Sequence, residues 1–106
     1  ISHNTGFTDI SDEREKDNIE TITEATSLVK QLRGVTHKWK DKRDEKTHYG
    51  LIAQEVEKIV PDVVSEGAIK EGETEPTKGV AYQKLVPLLI ETIKELEARI
   101  KTLEDG

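Results

Sequence analysis

Apolar and polar positions change period several times along this 106-residue chain, and each change predicts an element. Residues 1–10 show no period and read as a loop or extended arm. Ile19, Ile22, Val29 and Leu32, with Ala25 and Leu28 between them, recur three and four apart. That stripe predicts a helix over about 18–33, with Gly34 just past its end as a C-cap. Val35, His37 and Trp39 alternate with Thr36, Lys38 and Lys40, which is a strand pattern. The wholly charged run 41–46 follows as a solvated tip, and 48–52 returns as a second strand in which Gly50 suits a bend. A short helix over 53–60 is stopped by Pro61. Residues 62–65 form a short strand. The stretch 66–78, with Gly67, Gly72, Pro76 and four glutamates, reads as a flexible loop, and 79–82 as an extended entry into the last element.

That last element is the clearest. With Val86, Ile93 and Ile100 at heptad position a, position d holds Tyr82, Leu89, Leu96 and Leu103. Pro87 is tolerated only in a first helical turn, so the helix should span about 84–104, roughly 31 Å at 1.5 Å per residue. Leu85, Leu88 and Ile90 fall outside the seam, so other elements should pack that end. A seam left open in a monomer exposes an apolar stripe, and oligomerisation covers it. Arg99 at g and Glu104 at the following e can pair between parallel chains. Ile at a with Leu at d favours two strands, while the wider apolar start favours more. The alternative is a single surface helix docked on its own domain.

Composition sharpens this picture. Hydrophobic residues make up 33% of the chain and charged ones 36%, enough for one small core in an elongated or oligomeric molecule. Sixteen cations against 22 acids give a net charge of −6, which argues against nucleic acid or an anionic membrane as partner. The absence of cysteine excludes disulfides, a thiolate nucleophile and Cys-ligated zinc. His3, His37 and His48 lack metal-ligand spacing, although the last two can face each other across a hairpin, and no phosphate-binding glycine loop occurs. Neither a metal nor a cofactor is expected. No membrane span or signal peptide is seen, and a chain opening on Ile1 reads as the end piece of something longer.

The run Ser11–Lys16 (SDEREK) has two readings. Ser11 can be a helix N-cap, with Asp12 and Glu13 favourably placed in the first turn. Alternatively Ser11 is a nucleophile and Lys16 its base, with Arg14 holding an oxyanion and disfavouring a charged lysine. Residues five apart on one helix lie about 140° apart around its axis, so they do not share a face. Ser11 must then sit ahead of the helix on a bend, or the two groups must come from different chains.

Ser11-Asp12-x-Arg14-x-Lys16 resembles the S-D-x-R-x-K signature that opens the peptidase S74 family. These are C-terminal intramolecular chaperone domains of phage tailspikes, tail fibres, neck appendages and endosialidases. Residues 49–56 (YGLIAQEV) are similar to the family's G-x-I-A-Q-E block, and 79–82 (GVAY) with the Leu/Ile helix resembles its closing coiled coil. Ala81 stands where the pattern has asparagine, which affects capping of the last helix more than the chemistry.

The resemblance implies an α+β fold, mainly α with small β hairpins, in an intertwined homotrimer with a C-terminal parallel coiled coil. Val86, Leu89, Ile93, Leu96, Ile100 and Leu103 would form the seam. Residues 1–10 would end an upstream fibre segment and 11–106 would be the chaperone. Its partners would be two further copies and the upstream β-helical fibre domain of the same polypeptide. It would act in the host cytoplasm during virion assembly, folding the fibre and then releasing itself by cutting beside Ser11. Ser11 and Lys16 would be catalytic, Asp12 and Arg14 supporting. Ser11 attacking the carbonyl of Ile10 passes through a five-membered ring, whereas attack on its own carbonyl needs a strained four-membered one. A cut after Ser11 would call for another chain's serine or an activated water, so the side stays open. Two rival readings remain: a permanent trimerisation cap that never cuts, and the autoprocessing domain of a membrane-bound transcription factor, as in the related eukaryotic module.

Overall fold

A computed structural model describes residues 8–106; the first part of the expected upstream arm, with His3, lies outside the described residues. The fold is α+β. After a 3-10 turn at Glu13–Glu15 come helix α1 (Ala25–Val29), strands β1 (Val35–His37) and β2 (His48–Gly50), and helix α2 (Ala53–Glu57). A 3-10 turn at Pro61–Val63 leads into β3 (Val64–Ile69) and β4 (Pro76–Val80), and a further one at Tyr82–Leu85 into the long helix α3 (Val86–Asp105).

β1 and β2 pair antiparallel with His37 opposite His48. The two imidazoles stack at 5.6 Å, and Trp39 meets His37 edge-on at 4.9 Å. The charged tip between the strands is braced rather than shapeless. Asp41 accepts from the backbone and guanidinium of Arg43, which hold its carboxyl down at about 2, and Arg43 lies 4.3 Å over the Trp39 ring. Gly50 ends β2 where a Cβ would stand 2.8 Å from the Tyr82 hydroxyl. That hydroxyl accepts from the Leu51 N–H at 2.9 Å and ties the hairpin to the start of the long helix.

Two expected elements change. The helix over 18–33 shrinks to the five residues of α1, followed by turns that reach Leu32. Asn18 and Glu24 take left-handed backbone conformations (φ 53° and 59°), which no helix accommodates. Between them Ile19, Thr21, Ile22 and Thr23 are β-branched and weak helix formers, and Gly34 leads into β1 instead of closing a helix. The flexible loop over 66–78 is largely a hairpin, with Glu66 opposite Lys78 and Ile69 opposite Pro76. Gly72 at φ 85° supplies the left-handed residue of its turn, and Lys78 bridges to Glu57 at 2.6 Å and to Glu66 at 3.6 Å. The strand expected at 62–65 starts two residues later, and the helix expected over 53–60 is regular only to Glu57.

The core gathers around the first turns of α3. Ala25, Val56, Val63, Leu85 and Leu88 are buried together, with Ile22, Leu28, Leu32, Val60 and Val80 packed against them. Leu85, Leu88, Thr92 and Glu95 follow one another at spacings of three and four, forming a stripe distinct from the heptad seam. That stripe faces α1 and the chain's own core. Ile90, expected to share this packing, is 49% exposed instead, because it lies on the other side of the helix. The seam from Val86 to Leu103 is open to solvent along its whole length.

Candidate active site

The segment 11–16 folds as a single tight turn. Asp12, not Ser11, is its N-cap: the Asp12 carboxylate accepts from the Arg14 backbone N–H at 2.8 Å and from the Arg14 guanidinium at 3.2 and 2.9 Å. Those bonds hold the Asp12 carboxyl below its ordinary value and raise Arg14 above its own. The guanidinium is thereby turned onto Asp12 and braces the turn. After Glu15 the chain leaves in an extended conformation at Lys16 (φ −122°, ψ 144°). Reversing the chain over one 3-10 turn brings the Lys16 Nζ back to the Ser11 Oγ, to which it donates at 2.7 Å. The helical objection to pairing residues five apart is removed, since Ser11 lies ahead of the turn and Lys16 beyond it.

Hydroxyl and amine of one chain are therefore in hydrogen-bond contact. A lysine works as general base only when desolvation or a neighbouring cation favours its neutral amine. Both side chains are exposed in the single chain. In a single chain nothing encloses this contact from solvent. Among the described residues no group of three or more His, Asp or Glu is arranged to hold a metal.

Sequence reasoning misses a third feature. Glu24, at the N-cap of α1, provides no side-chain cap, and the capping groups come from α3. The Glu95 carboxylate accepts from the Ala25 N–H at 2.9 Å, the Thr26 N–H at 2.8 Å and the Thr26 hydroxyl at 2.6 Å. Seventy residues separate these groups, and no local signal announces the clasp. It fixes the root of the segment carrying Ser11 and Lys16 to the long helix. The Thr26 hydroxyl and the two N–H groups hold the Glu95 carboxyl below its usual 4.5. A depressed folded pKa contributes stability that is present above the unfolded value and lost as pH falls through the folded one. Glu95→Gln should therefore melt below wild type at neutral pH, and the difference in Tm should shrink towards zero in acid. A difference independent of pH would show that the carboxylate charge contributes nothing.

The other two sequence blocks are structural in this chain. In the G-L-I-A-Q-E block, Glu55 takes a bidentate pair with Arg33 at 3.2 and 2.6 Å, and Gly50 makes room for Tyr82. Ala81 precedes the last 3-10 turn without a side-chain cap.

Comparison with known proteins identifies the family. The family model of peptidase S74, described as a chaperone of endosialidase, matches residues 11–65, beginning at the serine itself. The long tail fiber proteins Gp37 of Enterobacteria phages K3 and T2 are each 34% identical over 105 aligned positions, taking in 89% of this chain. The chain spans only 8% and 7% of the length of these two relatives. With a match over more than half of its residues, opening on the Ser11–Lys16 turn, the chain belongs to the peptidase S74 family of endosialidase-type chaperones.

Proposed function

We propose that this chain is an intramolecular chaperone at the C-terminus of a phage fibre or appendage protein, which it trimerises and folds before cutting itself away beside Ser11. The contact of 2.7 Å between Lys16 Nζ and Ser11 Oγ carries the reading, because it is the proximity that a serine nucleophile and a lysine base would need. Family membership and the two tail fibre relatives support the chaperone part.

The work is physically reasonable. Interwound β-structure depends on non-local pairings and folds slowly, with exposed edges. A coiled coil pairs locally, and joining three copies raises the effective concentration of the upstream segments. Removing the helper afterwards leaves the fibre held by its unfolding barrier. In cleavage, the neutral Lys16 amine takes the Ser11 hydroxyl proton as Oγ bonds to the carbonyl carbon. The C–N bond then breaks, its nitrogen is protonated, and water hydrolyses the resulting ester. Own-chain attack on the Ile10 carbonyl uses the five-membered ring. Assembly takes place in the host cytoplasm, before the released domain leaves the virion protein.

The test is mass spectrometry of the complete parent protein after expression. Two fragments meeting beside Ser11 are expected. A single intact mass from a folded, trimeric fibre would leave a permanent cap and refute self-cleavage.

A further inference from the structure

Every residue from Thr8 to Thr21 is exposed, an unbroken stretch with no core of its own. Ile19 in the middle is 64% exposed. Residues 8–24 carry seven carboxylates against two cations, Arg14 and Lys16, and so hold most of the chain's net charge of −6. Across the fold lies a feature of opposite character, an open groove of about 590 Å³ between the β1–β2 tip, the start of α2 and β4. Trp39, Leu51 and Val80 contribute its apolar surface, and Lys38, Lys40 and Lys70 are exposed on its rim. These three lysines enter no salt bridge among the described residues, whereas the groove's other cations, Arg43 and Lys78, are engaged by Asp41 and Glu57. Asp41 is its one carboxylate.

We infer that this groove receives the acidic segment around Ile19 of a second copy of the chain, Ile19 lying against Trp39 with Asp17 and Glu20 among the rim lysines. Charge fits: an exposed strip with one apolar side chain between two carboxylates meets an apolar floor with a cationic rim. Ile19 is six residues from Ala25, where Glu95 anchors the strip, and six residues span at most about 20 Å, so the receiving groove must lie within that distance of Ala25. The docked strip leads directly back to Lys16 and Ser11. A neighbouring copy would thus order and enclose the turn that stands in solvent in a single chain, so cleavage would await assembly. The inference rests on the proposed self-assembly but needs no cleavage to be tested.

The chain has no cysteine and a single tryptophan, which makes both probes clean. Ile19→Cys with Gln54→Cys, the latter in the groove, should give covalent dimers and trimers on non-reducing gels after mild oxidation with oxidised glutathione. Either single variant should give background only. Reversing Lys38, Lys40 and Lys70 to Glu should cut the cross-linking yield at least fivefold at low salt, and adding Asp17→Lys with Glu20→Lys should restore part of it. In the cysteine-free chain, Ile19→Asp should move Trp39 emission to longer wavelength as the ring loses its cover. Sedimentation of the same samples separates the two ideas. A monomeric wild type overturns both assembly and docking. A trimer that links only within chains, or not at all, or whose linking ignores the charge reversals, overturns the docking alone, as does an unchanged Trp39 spectrum.

Discussion

Ser11→Ala should abolish processing of the parent protein altogether, with no fragment detectable where wild type is fully cut. Alanine offers no oxygen to form the ester, and no other hydroxyl lies within the turn that holds Lys16. Lys16→Ala should be nearly as severe, since the serine loses the group that takes its proton; losses of 100-fold or more are usual for a positioned base. Lys16→Arg should not rescue, because a guanidinium remains protonated at any workable pH. Fibre folding should survive in all three variants, since in the proposed reading chaperoning would reside in contacts between chains and precede the cut. Mass spectrometry from a protease-deficient host decides the matter. A Ser11→Ala protein still cut at the same bond would mean that an external protease does the work and that the turn is only structural.

Asp12 and Arg14 would act on the proposed chemistry through the backbone. Their bidentate pair and the capping bond to the Arg14 N–H set the turn that returns Lys16 to Ser11. Both groups are exposed, and exposed ion pairs add little stability. Their contribution is therefore geometric. In the single chain the Arg14 guanidinium is engaged by Asp12.

How far the sequence reveals these features depends on the range of the interactions. The long helix follows from spacing alone: Pro87 marks its first turn, and the apolar heptad continues to Leu103. The β1–β2 hairpin also follows from local alternation, including His37 opposite His48. The helix over 18–33 is a different case. Its apolar stripe has the right period, but Glu95 supplies the capping groups at Ala25 and Thr26, and the helix starts there. No window around Ile19 contains that information. Residues 66–78 mislead through composition, since glycine, proline and glutamate mark a turn as readily as a loop. Their pairing is decided across the turn, by Glu66 against Lys78 and by the ion pair of Lys78 with Glu57. At the site, the signature named Ser11 and Lys16, whereas the short turn joining them is visible only in three dimensions.

Ile93→Asp with Ile100→Asp should convert the assembled protein to monomers. In the single chain these side chains are 66% and 56% exposed, and the rest of the seam is open beside them. The chain's own core uses the other stripe of the helix, through Leu85, Leu88 and Thr92, so the substitutions touch nothing that holds one chain together. In a three-stranded seam they would bury six carboxylates in two apolar layers, at an effective cost of several kcal/mol per charge. Sedimentation equilibrium should therefore return 11.9 kDa instead of three times that mass, while circular dichroism of the folded region changes little. Leu88→Ala provides the contrast. It removes a buried side chain and should cost about 2–5 kcal/mol in the single chain. Loss of assembly with the fold retained in one variant, and loss of fold in the other, would separate the two faces of α3. A doubly substituted protein that remained trimeric would place the contacts between copies outside the heptad seam.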